Sequence, residues 1–163
     1  MVKPSLYSGN TAENSRMTGG RLAAAFFMML AMIGTMVTFL DDAGYEFTDW
    51  PRPIIAAAVI GIMAGWSQLG RNLGRDFMLS GMFGVGAGLI GLTFFAMVYG
   101  FRSAWITHFA VGFTAAIDVV AHILDQGIKV IQTFLASTRT ILALGMGALC
   151  AGIISEYFNR IWK

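Results

Sequence analysis

Three side chains in this sequence stand where chemistry could be done. Asp118, His122 and Asp125 are spaced i, i+4 and i+7, so on a helix their heads share one face, the geometry a metal ion or a proton relay would use. His108 and Lys129 extend that face. A coordination shell needs more donors than these, and the only other histidine, His108, lies about three turns before Asp118. The face therefore reads first as a solvated or partner-contacting surface, with Asp125 and Lys129 as an ordinary i,i+4 ion pair. Glu156, near the end of an apolar run, is a second functional suspect. Arg160 follows it at i+4, so an anchoring ion pair beside Tyr157 and Trp162 is expected there. No serine or cysteine has a base at recognisable spacing, so neither an enzyme nor a cofactor is expected. The single Cys150 excludes an intrachain disulfide and a Cys-Cys metal site. Gly86, Gly88 and Gly91 spell G-x-G-x-x-G, but no strand precedes them and no acid follows at the spacing that motif needs; they are expected to serve helix contact.

The element that must carry the first cluster runs from Trp105 to Leu135. At 100° per residue, Thr107, Thr114, Asp118, His122, Asp125, Gln126, Lys129, Gln132 and Thr133 fall in one arc, and Phe109, Phe113, Val120, Ile123, Leu124, Ile131 and Phe134 fill the rest. Period-2 alternation fails over the same residues. An amphipathic helix of that length is roughly 46 Å long, against a hydrocarbon core of about 30 Å, so it must lie flat, tilt or break.

The surroundings are lipid. Of the 163 residues, 56% are hydrophobic and 12% charged, and the mean hydropathy is +0.68. Those are values of an integral membrane protein. A net charge of +2, from basic residues that are scattered, leaves no footprint for nucleic acid.

Residues 1–20 form a polar leader with a break at Gly19-Gly20. It is not expected to be a signal peptide, because the apolar run after it ends in Asp41-Asp42 with no small-x-small site. Residues 21–163 form one membrane domain with spans at 22–40, 54–70, 77–100 and 141–158. Tyr45 and Trp50 sit where aromatic rings settle at a membrane surface. Pro51-Arg52-Pro53 is expected to fix an extended turn before the second span. Small residues recur every fourth position at Ala57, Gly61 and Gly65, at Ser80, Gly84 and Gly88, and at Ala143, Gly147, Ala151 and Ser155, which predicts helix-packing seams. The fold class is all-α: a polytopic membrane protein of four transmembrane helices plus one long amphipathic helix before the last.

With four spans, Lys3, Arg16, Arg21, Arg71, Arg75, Arg160 and Lys163 share one side, which places both termini in the cytoplasm. A fifth span through 105–135 gives the same imbalance of charge. It would, however, carry Asp118, His122, Asp125 and Lys129 into the bilayer, at about 2.5–3.5 kcal/mol for each charged group near the centre.

Gly65-Trp66-(x)3-Gly70-Arg71-(x)2-Gly74, the stretch from Ala116-Ile117 through Asp125, and the closing Glu156-Tyr157-(x)4-Trp162 resemble the bacterial TrgA family, small membrane proteins associated with tellurite resistance. The likeness covers residues 17–163. It departs at the leader, at Trp50-Pro51-Arg52-Pro53, and at Tyr157, where tryptophan is more typical. The resemblance implies an inner-membrane location and a link to oxyanion tolerance, and it supplies no catalytic residues. The alternative reading is an accessory or structural subunit of a larger respiratory or photosynthetic membrane complex. Such a subunit would dock through its seams and through the face of His108, Asp118, His122, Asp125 and Lys129, with other membrane-protein subunits as partners beside the lipid bilayer.

Overall fold

A long apolar run in lipid must satisfy its backbone internally, and this chain does so as helices. The computed structural model describes residues 19–44, 46, 51–111 and 116–162; the side chains of 108–111 lie outside that description. Among the described residues there are five α-helices and no strand: α1 (Gly19–Asp42), α2 (Pro51–Ala64), α3 (Phe77–Val111), α4 (Ala116–Ala136) and α5 (Thr138–Ile161). A π-helical turn at Gly65–Leu69 continues α2, with the Gly70 N–H donating to the Gly65 carbonyl at 2.7 Å. Four stretches are long and apolar enough to cross a membrane: Gly19–Asp42, Pro51–Leu69, Phe77–Thr107 and Thr138–Ile161. The expected all-α class, with four spans and an amphipathic helix before the last, is the one the chain forms. The leader at 1–18, Tyr45, Trp50 and residues 112–115 lie outside the described residues.

Three local expectations are corrected. Gly19-Gly20 is the first turn of α1, not a break: a Cβ on Gly19 would strike Trp162, and one on Gly20 would come within 2.7 Å of Asn159 Cβ, so the missing side chains let α5 close on α1. Pro51-Arg52-Pro53 is the first turn of α2, where a proline gives up no intrahelical hydrogen bond and its fixed φ suits the helix. The run 105–135 is not one helix. Trp105–Val111 completes α3, and the amphipathic element is α4 alone.

α1 runs antiparallel to α2 and to α5. Gly65 lies on Ala24 and Gly61 on Met28 and Met29, while Gly147 faces Ala31, whose Cβ would stand 3.2 Å from an added Cβ. α5 also packs on α3. Added Cβ atoms would strike the Ala148 carbonyl oxygen at Gly84 and the Ser80 carbonyl oxygen at Gly152. Backbone contact at that range is what small residues allow in lipid, where association rests on packing and not on water exclusion. Met28, Met32, Met36 and Leu40 of α1 fill the middle with Leu92 and Phe95 of α3 and Leu144 of α5.

At the other end of α1, Ser137 caps α5. Its hydroxyl accepts from the Thr140 N–H at 3.1 Å and donates to Asp42 Oδ2, to which Thr140 Oγ1 also donates at 3.2 Å. One carboxylate thus ties the end of α1 to the start of α5. α3 divides its length between two partners. Its first half packs on α5, and its second half packs antiparallel on α4, with Gly100 against Ile123 and Gly127 against Ala96. Phe134 of α4 stacks on Phe39 of α1 at 5.9 Å between centroids.

Candidate functional site

The polar arc of α4 divides once the helix is packed. Val130, Phe134 and Gly127 are buried, and Gln126, Lys129 and Thr133 turn toward a cavity of about 970 Å³. α1 lines it with Met36, Phe39 and Leu40, α2 with its first turn Pro51-Arg52-Pro53, and α3 with Phe95, Val98, Tyr99 and Arg102. Among the described residues the lining holds three bases, Arg52, Arg102 and Lys129, and no acid. Lys129 Nζ is 2.7 Å from Asp125 Oδ2, an i,i+4 pair with both side chains more than half exposed, which contributes a few tenths of a kcal/mol. Arg52 and Arg102 have no ion-pair partner among the described residues. Two guanidiniums, each a planar fork of donors, therefore border a half-apolar space without a counter-charge among the described residues, an arrangement that suits an oxyanion.

The remaining residues of the sequence-derived cluster go elsewhere. His122 Nε2 lies 3.2 Å from Ser103 Oγ of α3, so the ring is part of the α3–α4 contact. Asp118 is exposed, and Asp125 holds Lys129. His108 belongs to α3, and its side chain lies outside the description. Asp118, His122, Asp125 and Lys129 share one face of α4, on which His122 meets Ser103 of α3 while Asp118, Asp125 and Lys129 stay exposed. Among the described residues, no group of three His, Cys, Asp or Glu side chains is placed to hold a metal ion. Of the small-residue positions, Ala57, Gly61, Gly65, Ser80, Gly84, Gly88 and Ala151 are buried, while Ala143 and Gly147 are half-buried. On α5 the closest approach to α3 falls at Ala148 and Gly152, one residue round from the spaced set.

A second polar assembly lies at the opposite end of the bundle. Glu156 is 1% exposed. Its Oε2 accepts from the Gly74 N–H at 2.7 Å and from Ser80 Oγ at 3.2 Å, and its Oε1 from Arg160 Nε at 3.0 Å. Gly74 has φ +91°, a conformation glycine adopts without the Cβ penalty, and this turns its N–H onto the carboxylate. Arg160 also donates to the Arg75 carbonyl at 2.8 Å and sits over the Phe77 ring at 4.2 Å. The anchoring pair expected from Glu156 and Arg160 is present, and the carboxylate does more than pair: it joins the 70–76 loop, α3 and α5.

Arg52, Tyr99 and Arg102 were not singled out from sequence. Their signal was there: Arg102 is the charge that interrupts the apolar run of α3, Tyr99 stands one turn before it, and Gln126, Lys129 and Thr133 repeat at i, i+3 and i+7 on the helix that follows.

Fold and site together define a multi-pass α-helical membrane protein with an open basic cavity at one end of its bundle. No protein-family model, no curated protein and no solved structure matches the chain.

Proposed function

We propose that this chain is a non-enzymatic protein of a bacterial inner membrane, of the TrgA type, that holds an anionic group at the membrane surface and so contributes to oxyanion tolerance. The observation that supports it is the cavity lining of Arg52, Arg102 and Lys129 without an acid among the described residues. A pyramidal oxyanion such as tellurite presents the acceptors that guanidinium forks match. The N-terminal end of α1 and the C-terminal end of α5 lie together, at Gly19–Trp162, on the side that Arg71, Arg75 and Arg160 also occupy. The positive-inside rule makes that side cytoplasmic and puts the cavity at the outer end. Cells expressing the chain are expected to grow at tellurite concentrations that stop cells lacking it, and Arg52→Gln with Arg102→Gln to remove the advantage at unchanged protein level. Equal growth with and without the chain would sink this reading.

A second reading, an accessory subunit of a larger membrane complex, is favoured by Asp118 and Asp125, which are exposed and do not line the cavity. Mild-detergent extraction and native separation test it by the presence of co-migrating subunits.

A further inference from the structure

We infer that the cavity takes an anionic amphiphile, a phosphate-type oxyanion head carried on an acyl chain, and that it takes it from the bilayer. The inference rests on the anion-holding reading above and names the ligand class.

The lining separates into two parts. Arg52 and Arg102 form a basic rim, and Met36, Phe39, Leu40 and Val98 supply an apolar wall. A small free oxyanion would occupy the rim alone and leave that wall against water, whereas an acyl chain covers it. At about 970 Å³ the space is at the upper end of small-molecule sites, more than a four-atom anion fills. The first turn of α2 lines the rim, so the positive end of that helix adds to the attraction for a phosphate.

The bilayer also reaches the cavity. Val98 lines it and is 49% exposed. On the same helix Phe94, Met97, Phe101 and Trp105 are exposed, an apolar flank that in a membrane meets lipid. Helical spacing puts Phe94, Val98 and Phe101 next to one another, so a lipid on this flank reaches the cavity past Val98. Arginine that reaches a phosphate from an apolar flank buries its methylenes and leaves its head at headgroup level.

The experiment uses the full chain in nonionic detergent, with native mass spectrometry after incubation with phosphatidylglycerol, phosphatidylcholine or inorganic phosphate. Phosphatidylglycerol is expected to be retained at least about tenfold more than phosphatidylcholine, because both offer the same phosphodiester oxygens to the arginines but the choline cation of the second is repelled by the basic lining. Arg52→Gln with Arg102→Gln should bring the two lipids level; if that double variant fails to fold, each single variant carries the same test. Arg139→Gln, whose side chain is 82% exposed and outside the lining, should change nothing. Val98→Asn should weaken phosphatidylglycerol and leave inorganic phosphate unaffected. Retention of inorganic phosphate that depends on both arginines, without retention of phosphatidylglycerol, would overturn the lipid source and leave the anion-holding reading standing. Retention of both probes that ignores the arginines would overturn both.

Discussion

Replacing Glu156 tests how a buried carboxylate holds the Gly19–Trp162 end of this bundle. In Glu156→Ala, the Gly74 N–H and the Ser80 hydroxyl lose their acceptor, and Ser80 is fully buried. Each unsatisfied donor costs about 1–3 kcal/mol, and the freed Arg160, 47% exposed, can turn to water, so a loss of about 4 kcal/mol is expected. Glu156→Gln can keep its oxygen on Gly74 and Ser80 and turn its amide toward Arg160. That leaves the loss of charge assistance, about 1–2 kcal/mol. Arg160→Gln leaves a 1% exposed carboxylate without its cation but with the Gly74 and Ser80 donors, and should cost about 1–3 kcal/mol, less than Glu156→Ala. Thermal unfolding in one detergent should therefore put Glu156→Ala lowest, with a melting temperature roughly 10 °C below wild type at about 2–4 °C per kcal/mol in a chain of this size, and the two Gln variants above it. A drop for Arg160→Gln as large as for Glu156→Ala would show that the ion pair alone matters and refute the three-way clamp.

Gly84→Ala should lower the melting temperature and the yield, because the added Cβ meets the Ala148 carbonyl oxygen, whereas Gly86→Ala, with nothing within 4 Å of the added atom, should raise stability by about 0.5–1 kcal/mol. Gly147→Leu should also damage assembly, since its Cβ would stand 3.2 Å from Ala31 Cβ, and wild-type migration on native gels would mean that the helices can part there without loss. A reporter fused behind α5 is expected to be active only in the cytoplasm, and periplasmic activity would reverse the assigned orientation. Replacing Asp118 and Asp125 together by Asn should leave the fold and lipid retention intact and loosen any co-purifying subunit, and unchanged co-purification would remove the partner role of that edge.

The fold was legible because hydropathy and small-residue spacing speak directly to membrane helices. Leu22 to Leu40 carries no charge, and Gly61, Gly65 and Gly84 mark where backbones touch. The boundaries were less so. Two glycines at 19–20 and two prolines at 51–53 carry breaking signals that are local. At a helix start those signals lose force, because proline there gives up no bond and glycine there admits Trp162. The long amphipathic run misled for a similar reason. Thr107 and Lys129 fit one arc by period alone, but an angular plot does not register a reversal of the chain, and α4 runs antiparallel to α3. The cavity was not legible at all as a unit. Arg52, Arg102 and Lys129 come from three helices, and only packing brings them to one space.

The length of α3 accounts for the depth at which that space lies. From Phe77, about 20 residues at 1.5 Å each use up a core of about 30 Å, so the helix leaves the hydrocarbon near Ala96. Near that level α1 ends at Asp42, α2 begins at Pro51, and α4 meets α3 at Ala96. Beyond it α3 continues with Phe101 and Trp105 exposed, and α4 returns along it with Ile117, Leu124 and Ile128 exposed, Ile117 by 76%. A helical pair with an apolar flank of that extent cannot stand in water without cost. At the membrane interface tryptophan rings settle, and arginine is tolerated far better than at the bilayer centre. Arg102 then needs no acid beside it, because lipid phosphates and water lie at its depth. The same placement that lets the chain keep Arg52 and Arg102 without a counter-ion among the described residues is what leaves them open to an anion from outside.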